Sequence, residues 1–139
     1  MALIALVTGL SYPSVTSGVD SLRLRSASDG IVGFLNTAID RAGRRQQVIQ
    51  VWISPRDNVI TARSPDQGFS RRFDLPDTVH IVSVLPLAAT APDEPRGFLF
   101  YPGGTVPPIG VEIVNRAGRR RLVRIDPITG VPRSELEAQ

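Results

Sequence analysis

The chain changes its hydrophobic rhythm twice. Residues 1–10 read Met-Ala-Leu-Ile-Ala-Leu-Val-Thr-Gly-Leu, with Thr8 the only polar interruption. A helix buried on one side carries polar residues every few positions. This run therefore predicts a helix with Ala2, Leu3, Ile4, Leu6, Val7 and Leu10 buried all round, in a bilayer or among other subunits. Ten helical residues reach about 15 Å, roughly half of a hydrocarbon core. The run reads as part of a membrane or filament helix rather than as a complete span. It has no basic segment ahead of it and so does not read as a secretory signal. Pro13 removes a backbone donor and predicts a kink or break.

From residue 15 to 45 the period is helical. At about 100° per residue, Leu24, Ala27, Ile31, Phe34, Leu35, Ala38 and Ala42 fall in one arc, which predicts the face that packs on the domain's own sheet. Asp20 is the early polar member of that arc. Val15, Val19 and Leu22 form a stripe on the nearly opposite side, free for a partner helix. Gly18, Gly30 and Gly33 each weaken the helix by about 1 kcal/mol relative to Ala. Ala42-Gly43, among Arg41, Arg44 and Arg45, predicts the C-terminal stop.

After Arg45 the period becomes that of strands. Strands are predicted at 47–54, 59–63, 69–75, 79–85 and 98–101, and as a hairpin at 109–114 and 119–126 around Asn115-Arg116-Ala117-Gly118. The predicted class is α+β: a remnant of apolar helix at 1–14, then a globular domain over 15–139. That domain comprises a helix (15–45), about six to seven antiparallel strands (46–133) and a frayed polar tail (134–139). The loops at 88–95 and 102–108, rich in Pro with Ala or Gly, are candidate contacts with a neighbouring subunit.

Composition narrows the chemistry. The chain has no cysteine, which excludes disulfides, thiolate metal sites and cysteine nucleophiles. All 16 basic residues are Arg, and the net charge is +3. The single histidine, His80, falls in an apolar strand and reads as structural. Glu112 and Asp126 fall on separate strands, and Asp126 before Pro127 reads as a turn residue. Asp57-Asn58 and Asp93-Glu94 lack a ligand-rich spacing for calcium. No catalytic residue, cofactor or metal site is predicted, and the chain does not read as an enzyme. Arg116, Arg119, Arg121, Arg124 and Arg133 form a basic cluster that reads either as a solvated strand face or as a contact for DNA phosphates. Alternation within a strand puts Arg119 and Arg121 on one face and Arg120 on the other.

Three stretches resemble the type IV pilin-like superfamily, and most closely its minor pseudopilins of general secretion pathway protein H and FimT type. The first is the apolar helix with Pro13, followed by Leu22-Arg23-Leu24-Arg25-Ser26-Ala27 and the basic end Arg41-Ala42-Gly43-Arg44-Arg45. The second is Phe98-Leu99-Phe100-Tyr101-Pro102-Gly103-Gly104, similar to the family's aromatic-x-Pro-Asp/Asn-Gly loop. The third is the last hairpin with Asp126-Pro127-Ile128-Thr129-Gly130. Together they cover almost the whole chain. The family's Gly-Phe-Thr-Leu-x-Glu cleavage and methylation motif does not occur in these residues, and the position of Pro13 implies a stretch of mature helix ahead of Met1. The resemblance implies a non-enzymatic subunit of a periplasmic type II secretion pseudopilus. Such a subunit is held in the bacterial inner membrane by its helix and assembles with other pseudopilins and the inner-membrane secretion machinery. The alternative it implies is a FimT-like minor pilin that binds DNA in natural transformation. The FimT-like Gly-Arg-x-Arg signature is represented here only by Arg133, in Gly130-Val131-Pro132-Arg133.

Overall fold

The computed structural model describes residues 2–65, 68–89, 91–103 and 106–136, with side chains from residue 18 onward. A 44-residue helix, α1 (Ala2–Arg45), leads the chain. It continues through Pro13 as one helix, where the sequence suggests a kink or break. It ends at Arg45, the predicted bound, two residues past the Ala42-Gly43 stop signal. Gln46 adopts a left-handed conformation (φ 52°), and the Gln47 N–H donates to the Ala42 carbonyl at 3.2 Å. That six-to-one bond closes the helix as a Schellman cap does, with Gln in place of the usual Gly.

Eight strands follow among the described residues: β1 (Ile49–Ser54), β2 (Val59–Arg63), β3 (Ser70–Asp74), β4 (Val79–Leu85), β5 (Arg96–Phe100), β6 (Gly110–Asn115), β7 (Arg120–Ile125) and β8 (Pro132–Leu136). They form two antiparallel four-stranded sheets, ordered β3-β2-β1-β5 and β4-β6-β7-β8, and α1 packs against strands of both. The count exceeds the predicted six or seven because β8 lies where a frayed tail is expected. Its sequence is polar, Pro-Arg-Ser-Glu-Leu, with no apolar alternation to announce it. Register with β7 orders it, from Arg121 opposite Leu136 to Ile125 opposite Pro132. Residues 137–139 of the predicted tail lie outside the described residues.

The helix face behaves as its period requires. Leu24, Ala27, Ile31, Leu35, Ala38 and Ala42 are buried, and Phe34 is half-buried. They meet Ile49, Val51 and Ile53 of β1, and Val111, Ile113, Val123 and Ile125 of the second sheet, in one core. Gly30 is more than a weak helix former. A Cβ there would lie 2.6 Å from the Phe73 ring, which packs against Phe34 at a centroid distance of 6.4 Å. Gly33 has open space around it.

The sheets are joined through the edge of β4. Asn58, in the β1–β2 turn at φ 58°, donates from Nδ2 to the Val79 carbonyl (2.7 Å) and accepts the Ile81 N–H on Oδ1 (3.0 Å). At the other end of that edge, Arg96 Nη1 donates to the carbonyls of Val84 (3.4 Å) and Pro86 (2.8 Å). Two side chains thus occupy main-chain groups that an edge strand would leave open.

Candidate functional site

The outward face of α1 changes character between residues 19 and 24. Val19 and Leu22 are 37% and 69% exposed, whereas Asp20 is only 5% exposed and Leu24 is buried. Exposed apolar side chains thus stand opposite the core-packing face at this level of the helix. The Val15 side chain of the same stripe lies outside the described residues. So do those of Ala2, Leu3, Ile4, Leu6, Val7, Leu10 and Pro13.

Asp20 is buried because it has partners. Arg116 Nε donates to its Oδ1 at 2.9 Å, and Asn115 Nδ2 donates to its carbonyl oxygen at 3.4 Å. Asn115 Oδ1 in turn accepts the N–H groups of Ala117 (3.0 Å) and Arg119 (2.9 Å). Gly118 completes this turn at φ +88°, a conformation that suits glycine. The β6–β7 hairpin therefore grips the helix at the level where its outward apolar stripe ends. The sequence carried half of this signal, an acid within an apolar arc. Its partner lies 96 residues away.

The five candidate arginines do not share a face. Arg116 belongs to this grip. Arg119 sits in the turn rather than in β7, exposed and without a side-chain partner among the described residues. Arg121 lies on the inner side of β7 with buried Val123 and Ile125, and its Nη1 donates to Ser134 Oγ at 3.1 Å. Arg119 precedes the first residue of β7, and its carbonyl accepts the Asn115 N–H at 3.0 Å, which continues the β6–β7 register by one pair. Arg124 and Arg133 lie side by side on the outer face. Arg124 pairs with Glu135 (2.8 Å) and Arg133 with Asp126 (3.2 Å), while Arg120 pairs with Glu112. Acids on the same face neutralise it.

Asp126 is a turn residue. Its Oδ1 accepts the N–H of Ile128 (2.8 Å) and of Thr129 (3.3 Å), and those bonds hold its carboxyl below the usual carboxylate range, with Arg133 and Arg124 acting in the same direction. His80 is exposed on β4 rather than packed in an apolar environment. Among the described residues no group of His, Asp or Glu is placed to hold a metal ion. The 88–95 loop is tied down by Arg56–Asp93 at 3.3 Å. The 102–108 loop is described only in part; its half-buried Val106 approaches Gly130 of the β7–β8 turn. No described helix is long and apolar enough to cross a membrane.

Neither a family model nor a curated protein matches the sequence. Among solved structures, the chain is similar to the minor pseudopilin EpsH from the Type 2 Secretion System of Vibrio cholerae. The TM-score is 0.61 at 14% identity, over 84% of this chain and 97% of that one. The chain therefore has the pilin-like α+β fold: one N-terminal helix packed on two antiparallel four-stranded sheets.

Proposed function

We propose that the protein is a minor pseudopilin of a type II secretion system, a non-enzymatic subunit that joins a periplasmic pseudopilus by helix packing. One observation carries the reading. Val19 and Leu22 stand exposed on a helix whose other face is fully used by its own β domain. Full burial of a large apolar side chain contributes about 1.5–3 kcal/mol; Leu22 has most of that still to gain and Val19 a smaller part, and the partner that supplies it is the helix of a neighbouring pseudopilin. The predicted all-round burial of residues 1–10 extends this contact toward the inner membrane. The β domain then lies on the periplasmic side, with the 88–95 and 102–108 loops toward the next subunit. The resemblance in fold to EpsH supports the assignment.

The alternative, a FimT-like minor pilin that contacts DNA, has narrower support. The Arg119 side chain is exposed without a partner among the described residues, but Arg116, Arg121, Arg124 and Arg133 are engaged within the domain.

Leu22→Asp tests the pseudopilin reading. Leu22 is mostly solvent-exposed, so the purified variant should keep its unfolding midpoint while secretion through its apparatus is lost. Secretion at the level of the unaltered chain would refute the reading.

A further inference from the structure

The strand β3 is one of the two outer strands of the first sheet, and among the described residues its free edge faces no other strand. The ladder pattern tells which groups it presents. The Ser64 N–H donates to the Phe69 carbonyl and the Leu75 N–H to the Asn58 carbonyl, so the pairs 64–69 and 58–75 are hydrogen-bonded positions. By alternation Ala62–Arg71 and Ile60–Phe73 are bonded pairs as well. Ser70, Arg72 and Asp74 then direct their N–H and C=O groups away from β2, toward the open edge.

Arginines outnumber acids along this edge. Arg41 and Arg71 both lie over the Phe69 ring, with guanidinium carbons 5.1 Å and 5.9 Å from its centroid. Arg41 Nη2 donates to the Gly68 carbonyl at 3.2 Å, while its buried Nε has no hydrogen-bond partner among the described residues. Arg72 chelates Asp74 through Nε and Nη2, at 3.1 Å and 2.9 Å. Arg63 adds a fourth cation on β2, opposite Ser70. A cleft of about 260 Å³ opens between the helix and this strand, lined by Phe34, Thr37, Ala62, Phe69, Arg71 and Arg72. It has an apolar floor and a cationic rim.

We propose that β3 is a docking strand for an extended acidic segment of another protein. That segment would add to the sheet through Ser70, Arg72 and Asp74 and place one apolar side chain in the cleft between Phe34 and Phe69. Strand addition takes its affinity from main-chain bonds and its specificity from side-chain pockets. The arginines select the partner, because a second copy of this edge would bring like charges together, whereas an acidic strand neutralises them. The proposal stands independently of the filament reading.

The test uses the full chain and two synthetic hexapeptides, acetyl-Glu-Val-Glu-Leu-Glu-Val-amide and its counterpart with Lys in place of Glu. Only the acidic peptide should slow amide hydrogen exchange at Ser70, Arg72 and Asp74, and Arg71→Glu with Arg72→Glu should weaken its binding by about tenfold or more. Arg72→Pro removes one outward N–H without touching the β2 ladder, and it should weaken binding as well. Equal binding of both peptides, or no protection at the three amides, would show that the charges only guard the edge and would overturn the proposal.

Discussion

Asp20 and Arg116 lie 96 residues apart in the chain and 2.9 Å apart in the fold. Their bond joins a buried turn of the helix to the tip of the β6–β7 hairpin, and Asn115 adds a second bond to the same turn. The outward stripe of Val19 and Leu22 is thereby held at a fixed height above the sheets. In a filament that height sets which part of the helix meets its neighbours and which part carries its own domain.

The two ends of this bond are unequal. Arg116 is half-exposed and can turn to water, whereas the Asp20 carboxylate is buried. Arg116→Ala should therefore cost about 1.5–3 kcal/mol, because it leaves a buried charge unpaired, and Asp20→Ala should cost less. Urea unfolding of both variants and of their double variant measures this, and the double variant should resemble Asp20→Ala rather than the sum.

Gly30 and Gly33 should respond oppositely to alanine. Gly33→Ala gains helix propensity in open space and should stabilise by about 0.5–1 kcal/mol. Gly30→Ala gains the same propensity but pushes the Phe73 ring off its seat against Phe34, and should end more than about 1 kcal/mol below Gly33→Ala. Denaturant midpoints of the two single variants decide it.

That contrast shows what the sequence could disclose. The helix face from Leu24 to Ala42 and the strand positions of β1, β2, β4, β6 and β7 follow from periodicity, since burial on one side imprints a period on the chain. Gly30 is silent about Phe73 because the notch exists only once β3 lies across the helix. β8 is silent because it is ordered by backbone pairing with β7, which leaves no hydrophobic alternation. The Asn58 bolt looks like an ordinary turn residue until the second sheet arrives beside it. The candidate arginines were legible as a cluster. Their separation was not, because their partners Asp20, Ser134, Glu135 and Asp126 reach them only through the fold.

The β7–β8 turn should weaken in acid. The Ile128 and Thr129 N–H groups hold the Asp126 carboxyl below its ordinary value of 3.8. The unfolded chain then binds the proton first, so the contribution of Asp126 is complete above that value and is lost as pH falls below it. Asp74, lowered chiefly by its hydrogen bond to Arg72, acts in the same sense. Asp126→Asn keeps an acceptor for both N–H groups and should leave near-neutral stability little changed. It should also reduce the loss of stability between near-neutral pH and about pH 2, as read from urea midpoints.

The most direct test of the central claim uses the absence of cysteine. Leu22→Cys creates a single thiol on the outward stripe, and Asn36→Cys creates one on the polar outward surface further along the same helix. In cells that carry the secretion apparatus, oxidative or bifunctional cross-linking should join Leu22→Cys to cysteines placed in the helices of other pseudopilins, and should leave Asn36→Cys unlinked. If Leu22→Cys stays unlinked while the filament assembles, or if both positions link equally, the stripe is not the filament contact and the account fails.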